Sequence, residues 1–234
     1  MNREFISGVK ITLLVCLVVT LFAPAAHAGP HLVCWPFDIG AARSLPWSGS
    51  SWHDARSDYD RKQLVTDTLA LLTPDAPVLV RMETLRRAAI YAQKDSQIAQ
   101  ELSSRLAERA DASRSSDKSY PLALFDWGYW LETYSQVVRI EQGSPLFRTK
   151  ISGYQLIQRA LALRGADAQM EFAAALVAST AGQRGAAEHH LQNAASGAAD
   201  GSLLANNLVT HCHLFQMHAE TLAALRSQLG PARN

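Results

Sequence analysis

Between about residue 54 and residue 228, apolar residues recur at intervals of three and four, which is the spacing of one face of an α-helix. The clearest stripe follows Pro77 and consists of Val78, Met82, Leu85, Ala89 and Ala92. Proline and glycine interrupt the pattern, as at Thr73-Pro74 and Gly143-Ser144-Pro145. No two segments alternate apolar and polar residues as paired strands do. The pattern predicts an all-α fold of antiparallel helical hairpins, in a repeat-like or compact array.

Two of the predicted helices bear on function. Pro121 opens a strongly aromatic helix whose apolar residues cover more than one face, so we expect it to be central in the fold. The last helix is predicted to start near Ser202 and to end near Gln228, just before a Gly-Pro stop. Its apolar stripe includes His211 and His218, which are therefore predicted to lie on its buried side.

Residues 29–53 lack the helical pattern and are rich in proline, glycine and aromatic side chains. Three of the five tryptophans of the chain lie here, at Trp35, Trp47 and Trp52. Disordered tails are poor in aromatic residues. We therefore expect an ordered, non-helical aromatic segment over 29–53, packed against a single helical domain that spans 54–234.

The first 28 residues have the pattern of a cleaved secretory signal. Basic residues at Arg3 and Lys10 precede an apolar run that ends before Ala26-His27-Ala28. The run is shorter than the roughly 20 residues that a membrane-spanning helix needs. We expect cleavage after Ala28, export to the periplasm or the extracellular space, and no stable membrane anchor afterwards. An uncleaved anchor is the alternative.

The mature part of the chain has almost no net charge. Of the 22 basic and 21 acidic residues, the signal contains Arg3, Lys10 and Glu4, which leaves 20 of each sign. Nucleic-acid-binding proteins carry a basic patch or stripe, so the balance argues against a nucleic-acid partner. The sequence has no cofactor-binding or catalytic motif, and we expect no cofactor.

Two cysteines remain in the mature chain, Cys34 and Cys212. In an oxidising compartment an isolated pair most simply forms one disulfide, which would link the aromatic segment to the last helix. The alternatives are two free thiols or a shared metal. A thiol nucleophile at Cys34 beside His31 is less favoured, because apolar neighbours raise the pKa of a thiol.

The stretch 210–218, THCHLFQMH, is rich in side chains that bind metals. His211 and His218 are seven residues apart, too far along a helix to share one ion. His213 and Met217 are one helical turn apart and could share a soft ion such as copper(I). With His31 and Cys34 brought near, a periplasmic copper or zinc site is conceivable. The competing interpretation is a solvated His213 with no ligand.

The aromatic helix offers a second candidate site. Trp127, Trp130 and Tyr134 could line a cleft for a carbohydrate or another small ligand, although aromatic residues at helical spacing more often serve as packing anchors. Asp126 and Glu132 lie on the same helix. A carboxylate pair for glycoside hydrolysis would have to sit across a cleft, which the sequence does not test.

The stretch 169–196, QMEFAAALVASTAGQRGAAEHHLQNAAS, resembles one tetratricopeptide-type helix pair. Small residues fall where the two helices of such a repeat pack closely, and Gly182 falls at the turn. The resemblance implies a helical-repeat scaffold that binds a peptide or protein on a concave face, without catalytic residues. We therefore expect an exported scaffold or binding protein that holds a protein, a peptide or an envelope component. The alternatives are an enzyme or small-ligand-binding protein, and a periplasmic metal-binding protein.

Overall fold

The computed structural model describes residues 31–116, 118–140 and 151–230. The predicted signal peptide and the predicted turn at Gly143-Ser144-Pro145 lie outside these residues. No helix among the described residues is long and apolar enough to cross a membrane.

The all-α prediction is confirmed for the described residues, which form nine α-helices, two short 3₁₀ turns and no sheet. An isolated β-bridge joins Trp47 and Ala55. The helices are α1 (Leu64–Leu71), α2 (Val78–Tyr91), α3 (Ser96–Ala112), α4 (Ser119–Ile140), α5 (Gly153–Arg164), α6 (Ala168–Thr180), α7 (Arg184–Gly197), α8 (Leu203–His211) and α9 (Leu222–Leu229). The 3₁₀ turns are Arg61–Gln63 and Cys212–Phe215.

The helices pack as pairs around the aromatic helix α4. Helix α4 contacts α2, α3, α5 and α6, and the most extensive pairs are α4 with α5 and α6 with α7. Small residues permit these close approaches: a Cβ atom on Gly128 would lie 2.6 Å from the carbonyl oxygen of Gly153. The packed helix pairs that the repeat resemblance implied are therefore confirmed.

Side-chain caps fix where several helices begin. The carboxylate of Asp95, which the sequence predicts as a cap, accepts hydrogen bonds from the N–H groups of Gln97 and Ile98. Asp167, Ser152 and Ser202 cap α6, α5 and α8 in the same way. These short polar residues satisfy N–H groups that have no partner inside the helix.

The long last helix that the sequence predicts is instead divided. Helix α8 ends at His211, the 3₁₀ turn follows, and Gln216 adopts the left-handed conformation with φ of 60°. Thr221 then caps α9. The apolar spacing continues across the interruption, so periodicity alone could not show it.

Residues 31–60 contain no α-helix, and much of their apolar surface is buried. Leu32, Val33 and Leu45 have no exposed surface, and Phe37 packs edge-on against Phe172 of α6 at 6.1 Å between ring centroids. This N-terminal segment lies across α2 and α8.

Buried charges on α2 hold the N-terminal segment. Glu83 accepts a hydrogen bond from the N–H of Phe37 at 3.1 Å, and it also accepts bonds from Arg86 and Arg87. Arg86 donates to the carbonyl of Val33, and Arg87 donates to that of Leu45. The charged face of α2 is thus covered by the segment rather than by solvent.

Candidate functional site

A groove of about 640 Å³ lies between the N-terminal segment, the start of α7 and the turn after α8. Its chemically distinctive lining residues are His31, Arg184, Glu188, His213, Phe215 and Met217. Two further depressions, of about 580 and 470 Å³, border α9, and neither is lined by histidine, cysteine or methionine. The 640 Å³ groove, called the His31–Met217 groove below, is the candidate functional site.

Two reversals of the backbone bring the walls of this groove together. Gly182, with φ of 72°, closes the turn between α6 and α7. Gln216 closes the turn after α8, where its N–H donates to the carbonyl of His213 and the N–H of Met217 donates to that of Cys212. As a result, His213 and Met217 line one groove although they do not share an α-helix.

Both histidines of the groove have a buried ring nitrogen without a hydrogen-bond partner among the described residues, Nδ1 of His31 and Nε2 of His213. The other nitrogen of His213, Nδ1, lies 2.9 Å from the carbonyl oxygen of Thr210. Because a carbonyl can only accept, this bond places the ring proton on Nδ1 and leaves a lone pair on Nε2. Burial lowers the pKa of His31, and the neighbouring His213 lowers it further, which favours the neutral ring.

His211 belongs to the core rather than to the groove. Its Nδ1 donates to the carbonyl of Asn207 at 2.8 Å, and its ring stacks on Phe37 at 5.1 Å between centroids. Burial lowers its pKa. His218 is exposed, contrary to the stripe prediction, because the helix ends before this position.

No group of three or more histidine, cysteine, aspartate or glutamate side chains is placed to hold a metal ion within the described ranges. The predicted metal pair of His213 and Met217 therefore stays a prediction. Of the two further ligands that the sequence offered, His31 lines the same groove as His213 and Met217, and Cys34 is not among its lining residues. The donor atoms available there are two imidazole nitrogens and one thioether sulfur.

The disulfide predicted between Cys34 and Cys212 does not form in this structure. Both residues are free thiols, and no two described cysteines lie within disulfide distance. The thiol of Cys212 points toward the carbonyl of Ala219, 3.9 Å away, whereas Cys34 lies near Arg86. Burial raises the pKa of the Cys34 thiol, and Arg86 opposes part of that shift.

The aromatic residues predicted to line a cleft lie mostly in the core. Trp130 and Tyr134 are almost completely buried and stack on each other at 5.2 Å between centroids. Trp127 is half-buried against the same core. Trp130 and Tyr134 therefore have no surface to offer a ligand, which corrects the cleft prediction for these two residues.

The carboxylates of the aromatic helix are committed to structural bonds. Asp126 is fully buried and forms an ion pair with Arg81 at 2.6 Å, and burial raises its pKa against the opposing effect of Arg81. Glu132 accepts a hydrogen bond from the N–H of Tyr154 at 3.0 Å. Because Asp126 and Glu132 bind different partners, the geometry does not support a pair of glycosidase carboxylates.

A polar chain that the sequence did not reveal joins α5, α6 and α7. Tyr154 and Nε2 of His190 share a hydrogen bond of 2.9 Å, and Nδ1 of His190 lies 2.5 Å from Glu171. Asn193 donates to the other carboxylate oxygen of Glu171. Tyr154, His190 and Glu171 follow one another as the nucleophile, base and acid of a catalytic triad do. However, burial raises the pKa of Tyr154 and keeps its hydroxyl protonated. The chain positions three helices, and nothing in the spacing of its members along the sequence could have identified it.

Comparison with known proteins gives no match: no protein-family model, no curated protein and no solved structure is significantly similar to this chain.

Proposed function

We propose that the chain is an exported helical binding protein that holds a short peptide segment in the His31–Met217 groove. The observation that carries this proposal is the groove itself, which has the volume of an ordinary ligand site and combines apolar and charged walls. The fold of packed helix pairs supports it, because such scaffolds present binding surfaces between helices and turns.

The groove favours a ligand with an apolar side chain beside a charged group. Phe215 and Met217 provide partly exposed apolar surface, while Arg184 and Glu188 are exposed on the first turns of α7. Arg184 and Glu188 are four residues apart and so share one exposed helix face. On this proposal α6 and α7 act as a tetratricopeptide-like pair, with the ligand on the face of the second helix.

The experiment is a binding screen with a designed probe set. Fluorescent hexapeptides carry a central leucine or phenylalanine flanked by lysine or by aspartate, and binding is measured by anisotropy. Glu188→Lys should shift the preference from lysine-flanked toward aspartate-flanked peptides, because it reverses the charge of one wall. Glu101→Lys, an exposed change on α3, is the matched control and should leave the preference unchanged. Equal behaviour of the two variants, or no binding by the wild-type protein, would contradict the proposal.

A further inference from the structure

We infer that His31, His213 and Met217 bind one copper(I) ion at the His31–Met217 groove. This site does not depend on peptide binding, and either proposal can fail alone.

The first argument is the state of the two imidazoles. Nδ1 of His31 and Nε2 of His213 are buried, and neither has a hydrogen-bond partner in the described part of the chain. Buried polar atoms are normally paired, because an unpaired one loses its bonds to water without replacement. Both residues line the same groove. With the proton of His31 on Nε2, a cation between the two rings would give each lone pair a partner.

The second argument is that the ring of His213 is already oriented as metal-binding histidines are. Such a histidine usually donates its other ring N–H to a carbonyl or carboxylate, which fixes the tautomer and the ring plane. Thr210 supplies that carbonyl at 2.9 Å. The indole of Trp35 packs edge-on against the ring, with centroids 4.5 Å apart. His213 therefore already has the tautomer that a metal ligand needs, with the lone pair of Nε2 unused among the described residues.

The third argument selects the metal. Met217 contributes a thioether, a soft ligand that favours copper(I), and its unbranched side chain can adjust to an ion. The donor set of two neutral imidazoles and a thioether carries no negative charge, which suits a monovalent ion. Structural zinc sites instead use four ligands, often with thiolates. Arg184 and Glu188, one of each sign, also line the groove, so their charges offset each other.

The test measures copper(I) affinity under anaerobic conditions, by competition with a chromogenic copper(I) chelator. The wild-type protein should bind one ion, and His31→Ala and His213→Ala should each weaken binding by at least about tenfold, since even outer-shell changes have effects of that size. Met217→Leu, which keeps the volume and removes the sulfur, should weaken it as well. The exposed His53 and His218 provide matched controls, and His53→Ala and His218→Ala should leave the affinity unchanged.

Copper(I) also binds thiolates, so Cys34→Ser is a necessary comparison. X-ray absorption at the copper edge should show two nitrogen ligands and one sulfur, and the sulfur should disappear in Met217→Leu but persist in Cys34→Ser. The proposal is overturned by unchanged affinity in His213→Ala, by loss of binding in Cys34→Ser alone, or by tighter binding of zinc(II) than of copper(I) at the same residues. Circular dichroism of each variant confirms that lost binding does not reflect lost folding.

Discussion

Replacing Glu83 by glutamine tests whether the buried charges of α2 hold the N-terminal segment. The carboxylate of Glu83 is fully buried and accepts four hydrogen bonds, two from Arg86, one from Arg87 and one from the N–H of Phe37. Arg86 is itself fully buried. Glu83→Gln keeps the shape but removes the charge that neutralises a buried guanidinium.

The expected loss of stability is large. Removing one partner of a buried ion pair costs about 3–5 kcal/mol, because the other charge stays buried without compensation. In a domain of about 150–250 residues, 1 kcal/mol corresponds to about 2–4 °C in Tm. The Tm of Glu83→Gln should therefore fall by about 6–20 °C. The segment should also become more sensitive to protease, since Phe37 loses its bond to the charged carboxylate.

The assay is thermal unfolding followed by circular dichroism, with limited proteolysis of the folded protein at 25 °C. Glu108→Gln is the matched control, because Glu108 pairs with Arg105 on the surface, where the two side chains are 63 % and 57 % exposed. Exposed pairs contribute less than about 1 kcal/mol. Equal changes in Tm for the two variants would refute the assignment of a stabilising role to the Glu83 cluster.

Two further predictions concern helix packing and the thiols. Gly128→Ala should lower the free energy of unfolding in urea by about 1–3 kcal/mol, because its Cβ would lie 2.6 Å from a carbonyl of α5. Gly185→Ala, with open space around it, should be neutral or stabilising. A larger loss of stability in Gly185→Ala than in Gly128→Ala would contradict the packing. Without reductant, Cys34 and Cys212 should both be alkylatable thiols in the denatured protein. In the folded protein, Cys34 should be alkylated more slowly at pH 8 than an unfolded cysteine, because its pKa is raised and the thiolate is the reactive form. Its alkylation rate should rise as the pH increases past 9. Absence of both thiols in the denatured protein would instead show a disulfide.

The helices were predictable because local signals determine them. Met82, Leu85 and Ala89 of α2, and Ala92 just after it, are all without exposed surface, as the stripe requires. The sequence did not show that three charged residues of α2, Arg81, Glu83 and Arg86, are buried as well, because such residues are usually exposed. Backbone groups of the N-terminal segment bind the side chains of Glu83 and Arg86, and no local pattern encodes a contact between residues about 50 positions apart.

The candidate site was predictable only in its residue types. The sequence indicated a soft metal pair at His213 and Met217 but assumed that one helical turn joins them. A left-handed Gln216 places them on either side of a tight turn instead. Glutamine carries no special preference for that conformation, unlike glycine or asparagine, so the turn had no marker. The cap at Thr221 was the one local sign that a new helix begins there.

Polar contacts away from the His31–Met217 groove fix the position of the N-terminal segment. At the groove itself, the indole of Trp35 packs against His213 of the turn after α8, which forms one wall. The structure fixes the segment by polar contacts elsewhere, with the N–H of Leu32 donating to Gln136 of α4 and Asn207 of α8 bonding to both backbone groups of Asp38. These contacts hold the turn that carries His31 beside His213 before any ligand arrives. A site whose side chains are ordered in advance loses less conformational entropy on binding. For the ligands proposed above, the buried polar contacts of the segment would therefore raise affinity at the groove without touching the ligand.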